Sequence, residues 1–334
     1  MGIVTTGLLE RMLSEKELGA YFLALSIVSL GAVVGSLGLP KTVVGLVAEN
    51  MGVDRPERAR QAIRTVLGIG VFGTLGISFA YLLVGDLVSE YAFRSSLLVG
   101  VTGLMAGWIA IAVVQEITAE TFRGFHDIRL ATLLGGLATA GKSGGLIMRV
   151  LLLGILVLLW MKSGQTSLAT VVLVCIGSGS VSVVLSLWLL YAKVSSLGSS
   201  EGAQEEEPVG AKEVLEDAIP FLAIAMTSLV LLSADIWILA LFHKDVAVYG
   251  FVSKLVTFVA MPLLIVNLVL PPIVSEMYAQ GRTGRLERTL RTFSTLAGVP
   301  SLLVLIVFML LGGRYWGWST ANPSTTATRR CWCS

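Results

Sequence analysis

Three cations stand in stretches of this sequence that otherwise hold almost nothing but apolar residues: Lys142, Arg149 and Lys254. Arg149 follows Ile147-Met148 and precedes VLLLGILVLLW. If that run lies in lipid, a guanidinium facing the hydrocarbon costs about 2.5 kcal/mol or more, so it must face protein or water. A fixed cation in such a place is chemistry for an anion. On one continuous helix Lys142 and Arg149 share a face, two turns or about 10 Å apart along the axis. The competing roles are structural: Lys142 reaches back to the membrane surface along its aliphatic stem, and Arg149 pairs with a neighbouring carboxylate.

A second set is acidic. Glu116 and Glu120 are one turn apart near the end of an apolar run, and Asp235 stands near the end of another. Carboxylates at membrane depth can take up a proton or a sodium ion and release it when their surroundings change, which makes these three the ion-coupling candidates. Arg123 is three positions beyond Glu120, so a local ion pair is the plainer role for that acid. Simple solvation is the plainer role for Asp235.

Other patterns carry less. Gly136-Leu-Ala-Thr-Ala-Gly141-Lys142-Ser143 matches the phosphate loop GxxxxGK[ST], but that loop works between a buried strand and a helix, and here it lies inside a membrane-length apolar run. The two histidines, His126 and His243, fall in turns on opposite sides of the membrane in the topology below, which excludes a His-based catalytic pair. Neither has metal-ligand spacing. The cysteines, Cys175, Cys331 and Cys333, give no disulfide framework or metal set. No catalytic constellation emerges, so an enzyme is not expected. The net charge of +2 gives no reason to expect nucleic acid as a partner.

The elements that must position these residues follow from composition. Hydrophobic residues make up 55% of the chain and charged residues 14%, against about 25% charged in a soluble domain, and the mean hydropathy is +0.84. The apolar residues come in runs near the roughly 20 residues that cross a bilayer. Spanning helices are expected at 18–48, 65–85, 96–114, 130–161, 167–191, 218–242, 246–275 and 293–312, preceded by a shorter apolar piece at 1–12. Pro40 and Pro271-Pro272 near the ends of long runs predict kinks. Gly31-xxx-Gly35, Gly103-xxx-Gly107 and Gly141-xxx-Gly145 place small residues one turn apart, as close helix contacts require. Trp160, Trp188 with Tyr191, and Trp237 are expected as interfacial anchors. The start of the chain lacks the features of a signal peptide.

Positive charge sets the orientation. One alternate set of loops carries Arg55, Arg58, Arg60 and Arg64, then Arg123 and Arg129, Lys193 and Lys212, and Arg282, Arg285, Arg288 and Arg291; the other holds only Arg11, Lys16, Arg94, Lys162 and Lys244. The first set is expected in the cytoplasm together with the N-terminus. Glu49, Arg55, Arg58, Arg64 and Thr65 recur as Glu276, Arg282, Arg285, Arg291 and Thr292, each 227 positions later. Five matches in register predict a duplicated unit of six helices whose copies insert the same way up. The expected organisation is a six-helix N-terminal lobe at 1–194 with its first helix clipped, and an acidic cytoplasmic linker at 195–213. A partial C-terminal lobe of three helices at 214–312 and a non-native tail at 313–334 complete it.

Two stretches carry a family resemblance. LSEKELGAYFLALSIVSLGAVVGSLGLPKTVVGLVAEN with ERARQAIRTVL resembles the second and third helices of polysaccharide-export flippases, the Wzx-like branch of the exporter superfamily that also holds lipid II flippases and MATE antiporters. EDAIPFLAIAMTSLVLLSADIWILALF with VAVYGFVSKLVTFVAMPLLIVNLVLPPIVSEMYAQG resembles helices seven and eight. The resemblance implies an all-α, polytopic membrane bundle of MATE-like, two-lobed architecture, with about nine of twelve or more helices present, working by alternating access. It implies a lipid-pyrophosphate-linked oligosaccharide as cargo, membrane lipids and the polymerase or glycosyltransferase machinery as partners, and the cytoplasmic membrane as location. No cofactor beyond a coupling proton or sodium ion is implied. Cargo binding then falls to Arg149, Lys254 and Lys142, and ion coupling to Asp235, Glu116 and Glu120. The alternatives are a MATE-like drug or cation antiporter, and an inactive truncated gene product.

Overall fold

The computed structural model describes residues 2–52, 55–87, 96–135, 144–196, 210–242 and 283–321, with isolated positions between 249 and 266. All regular structure among them is helical, as the all-α reading expects: α1 Gly2–Met12, α2 Glu15–Ser36, α3 Leu39–Gly52, α4 Pro56–Leu87, α5 Ser96–Val99, α6 Thr102–Gly124, α7 Ile128–Gly135, α8 Leu146–Ser163, α9 Leu168–Ser195, α10 Ala211–Leu241 and α11 Thr283–Ala321. Among the described residues six helices are long and apolar enough to cross a membrane: α2, α4, α6, α9, Ala211–Leu231 of α10 and Arg288–Val307 of α11. Only a helix or a closed barrel satisfies every backbone donor and acceptor within the hydrocarbon, so long apolar runs fold this way.

Met1–Val252 form one compact unit with α6 at its centre, packed against α2, α3, α4, α7 and α9. Its apolar residues point several ways at once, with Met105, Trp108, Ile109, Val113, Ile117 and Phe122 all buried, so no polar face is left along most of its length. Small residues let neighbours close on one another: a side chain at Gly31 would collide with Ile109, and one at Gly35 with Ile77 and Val113. Gly103 and Gly107 meet nothing within 4 Å among the described residues, so no contact of that pair is seen there. Trp160, Trp188 and Tyr191 are exposed, as headgroup anchors would be, whereas Trp237 turns inward and donates from Nε1 to Ser26 Oγ at 2.5 Å. In the unit Ser253–Ser334, α11 carries Pro300 and continues to Ala321, past residue 312 where its apolar run was expected to end.

Three expected helices are corrected. The run 18–48 is not one helix: α2 ends at Ser36 and α3 begins at Leu39, with Leu37 (φ 52°) and Gly38 (φ 80°) left-handed between them. Leucine in that region costs about 1–2 kcal/mol, glycine almost nothing, and Pro40 follows in the first turn of α3, where its missing N–H breaks no bond. The run 130–161 is likewise two helices, α7 and α8, because Gly145 adopts an extended conformation at the N-cap of α8. It does so while lying directly on the carbonyls of Leu133 and Leu134, too close to admit a side chain. The run 96–114 is a short α5 followed by α6, which continues to Gly124. Other ends match their sequence signals, as at α2, where Ser14 and Glu17 cap each other's backbone N–H at 3.4 and 3.1 Å.

Candidate functional site

The extension of α6 decides the first question about the acids: Glu116 and Glu120 lie within the helix, not beyond its end. Glu120 is buried, at 2% exposure. Its Oε1 accepts a hydrogen bond from Arg123 Nη1, the local pair expected from the i,i+3 spacing. Its Oε2 faces a cation that sequence reasoning missed, Lys41 Nζ at 3.9 Å. Lys41 comes from the first turn of α3, and the break at Leu37–Gly38 is what redirects the chain there. The signal was legible: a lysine inside the apolar run 18–48 invites the same question as Arg149.

Glu116, one turn earlier, lies within electrostatic range of Glu120, Lys41 and Arg123. Its Oε2 is buried and has no hydrogen-bond partner among the described residues. A carboxylate oxygen out of water with no donor is costly as an anion, so the group gains from a bound proton or a small cation. On the far side of α6, Gln115 Nε2 donates to Leu134 O at 2.7 Å and to Ser182 Oγ at 3.1 Å, and Ser182 Oγ donates to the same carbonyl at 3.4 Å. These contacts tie α6 and α9 to the end of α7, where the helix leaves its carbonyls without internal donors.

The expected cations are placed differently. Arg149 stands in the first turn of α8, half-buried, not midway along an unbroken span. Its Nε lies close to Gly144, where a Cβ would approach it to 3.8 Å. No ion pair joins it to a carboxylate among the described residues. It sits at the positive end of a helix dipole, so the local potential favours an anion. The described part of α8 starts at Leu146; Lys142, Lys254 and His243 lie outside the described residues, as do residues 136–143. The described residues on either side are the helices α7 and α8, and no strand occurs among the described residues to give a phosphate loop its setting. Asp235, near the end of α10, is exposed and accepts from Tyr249 Oη at 2.7 Å. Neither Arg149 nor Asp235 is linked to the Glu116–Glu120 group by a hydrogen bond or ion pair among the described residues. No cluster of three or more metal-ligating side chains occurs among them.

A separate pair fixes the turn after α6. Lys193 Nζ donates to Asp127 Oδ2 at 2.7 Å, and Leu130 N donates to Asp127 Oδ1 at 3.3 Å. The Lys193 hydrogen bond holds the Asp127 carboxyl below its usual range. His126 beside it takes a left-handed conformation, φ 58°, at an exposed position.

No protein-family model and no curated protein matches this chain. A solved structure does, one described as the inward-facing conformation of a multidrug resistance MATE family transporter of the MOP superfamily. The two share 15% identity with a TM-score of 0.60, over 92% of this chain and 70% of that one. At that identity the likeness establishes the fold: a MATE-type helical bundle, as the sequence resemblance implied. With six helices fit to cross a bilayer, the chain is a multi-pass membrane protein.

Proposed function

We propose that this chain is a secondary-transporter-type flippase that carries a lipid-pyrophosphate-linked oligosaccharide across the cytoplasmic membrane by alternating access. The observation that carries this reading is Arg149, a half-buried guanidinium with no carboxylate counter-ion among the described residues, on a fold shared with a transporter. The pyrophosphate would be met by Arg149, with Lys142 and Lys254 as further contacts, while the lipid tail stays in the bilayer. Glu116 and Glu120 are proposed to take the coupling proton or sodium ion, with Asp235 a weaker candidate. Two same-way lobes joined at 195–213, an N-terminus in the cytoplasm, and partners from polymerase or glycosyltransferase machinery belong to the same proposal.

A second reading is a MATE-like drug or cation antiporter, favoured by one observation, the buried and unpartnered oxygen of Glu116. An organic cation would find its counter-charge there, where an anionic headgroup would be repelled. Arg149→Glu separates the two. The flippase reading expects export of lipid-linked glycan to stop at unchanged membrane levels of the protein; full export in that variant, with drug efflux present, favours the antiporter.

A further inference from the structure

Two of the spanning helices carry a continuous row of exposed side chains, and each row begins on an arginine. On α4, Arg64, Phe72, Leu75 and Phe79 are exposed, and at 3.6 residues per turn they fall within about 80° of one another around the axis. Gly68 belongs to the same row, and a Cβ there would meet nothing within 4 Å, so the row is open between the arginine and the first ring. The 227-residue offset of the duplicated segment carries these positions onto Arg291, Thr295, Val299, Leu302 and Ile306. All five are exposed on α11. Beside that arginine, Thr292, Thr295, Leu296, Val299 and Pro300 line an open groove of about 510 Å³, a size within the roughly 300–1,000 Å³ of ligand sites.

Arg64 differs from the basic residues around it. Arg60 Nη2 donates to Val194 O at 2.9 Å and its Nη1 to Glu57 Oε1 at 3.2 Å, while Arg58 Nη2 stands 4.0 Å from Glu213 Oε1. No hydrogen bond or ion pair engages Arg64 among the described residues. The apolar run that follows it is about as long as the hydrocarbon is thick, which sets the arginine at the level of the headgroups. There its aliphatic stem can lie along the row while the guanidinium reaches the phosphate layer, and its paired N–H groups match two phosphate oxygens at once. A headgroup with net negative charge gains most, since a zwitterion carries its own cation. We infer that Arg64 and Arg291 are headgroup sites for two anionic phospholipids of the leaflet that the positive loops face, with the acyl chains laid along the rows that follow. The inference goes beyond the transport proposal and needs only that α4 and α11 lie in a bilayer.

Local quenching tests it. The full chain, with Cys331 and Cys333 changed to Ser and Cys175 left buried, carries one fluorophore at Phe72→Cys, Val299→Cys or Val184→Cys, all exposed positions. The third is the control, because its exposed row on α9, Val184, Trp188 and Tyr191, holds no cation. Each protein is reconstituted in phosphatidylcholine liposomes containing a small fraction of nitroxide-labelled lipid, either phosphatidylglycerol or phosphatidylcholine. Phosphatidylglycerol should quench at 72 and at 299 as though enriched about fivefold, and should show no enrichment at 184. Arg64→Gln should abolish the enrichment at 72 alone, and Arg291→Gln at 299 alone. In the unsubstituted chain, raising sodium chloride from about 0.1 to about 1 M shortens the screening length from about 10 to about 3 Å and should lower the enrichment at both sites. That measurement decides the matter even where a variant fails to insert. Enrichment that is equal at all three reporters, absent from 72 and 299, indifferent to salt, or retained after loss of the neighbouring arginine overturns the inference.

Discussion

The helices α6 and α8 treat charge in opposite ways. On α6, Glu120 is almost wholly enclosed; Arg123 donates to one of its oxygens, and Lys41 from another element stands 3.9 Å from the other, which accepts no hydrogen bond among the described residues. On α8, Arg149 stands half-buried in the first helical turn with no counter-ion among the described residues. A buried charge that is paired is committed to holding helices together, because removing one member strands the other. A charge left unanswered at an accessible place contributes little to the fold and keeps its interaction free energy for a ligand. The comparison therefore separates structural from functional charge, and Glu116, within electrostatic range of the same two cations but with a buried oxygen that accepts no hydrogen bond among the described residues, is the case that falls between.

The largest effect should come from Glu120→Ala. It leaves Arg123, whose side chain is 9% exposed, without its carboxylate, and should lower stability by about 3–5 kcal/mol, measured by denaturant unfolding in detergent. A loss below about 1 kcal/mol would break the contrast, because a buried pair would then behave like a surface one. Glu116→Gln should barely change stability, since an amide suits a buried site better than an unpaired carboxylate. It should flatten the pH dependence of transport; an unchanged profile would remove Glu116 from ion coupling. Arg149→Ala should cost under about 1 kcal/mol, in line with a half-exposed charge that has lost no partner, while transport of an anionic cargo fails.

The smallest effect concerns Asp127. Its carboxyl is held below its usual range by Lys193, so the unfolded chain binds the proton more readily than the folded one. The stabilisation is then fully present above the ordinary aspartate value of about 3.9 and is lost as pH falls through the lower folded value. Asp127→Asn should cost roughly 0.2–1 kcal/mol near neutral pH, and its difference from the unsubstituted chain should shrink only below about pH 4. A difference that instead grows on acidification would contradict this.

Much of the fold was legible because bilayer thickness and backbone satisfaction leave few choices: runs of about 20 apolar residues must be helices, and α9 and α10 fall close to where hydropathy alone puts them. The breaks were not legible at the same level. Pro40 marked the neighbourhood of the first, but a kink and a full break look alike in composition; the decision rests on Gly38, whose side chain is forbidden by α10, a contact made by residues 180 and more positions away. The same holds at Gly145, fixed by the carbonyls of Leu133 and Leu134. The site suffered accordingly. Arg149 was found by its type and its apolar neighbours, yet placed inside one long helix and not in the first turn of a new one, because the run 130–161 was read as unbroken. Glu120 and Arg123 were paired correctly from i,i+3 spacing, a local rule. Lys41, their third member, comes from another helix, and Gln115 was overlooked because a lone glutamine gives no sequence signal until Leu134 and Ser182 are seen to meet it.

The measurement closest to the central claim is reconstitution of the full chain in liposomes containing a fluorescent lipid-pyrophosphate-linked oligosaccharide, with the glycan scored by a membrane-impermeant oxidant that modifies only outward-facing sugars. The account predicts that the protein raises the modified fraction above that of protein-free liposomes and that Arg149→Glu returns it to that baseline. No rise above protein-free liposomes, from vesicles in which the same protein moves an organic cation across the membrane, would contradict it.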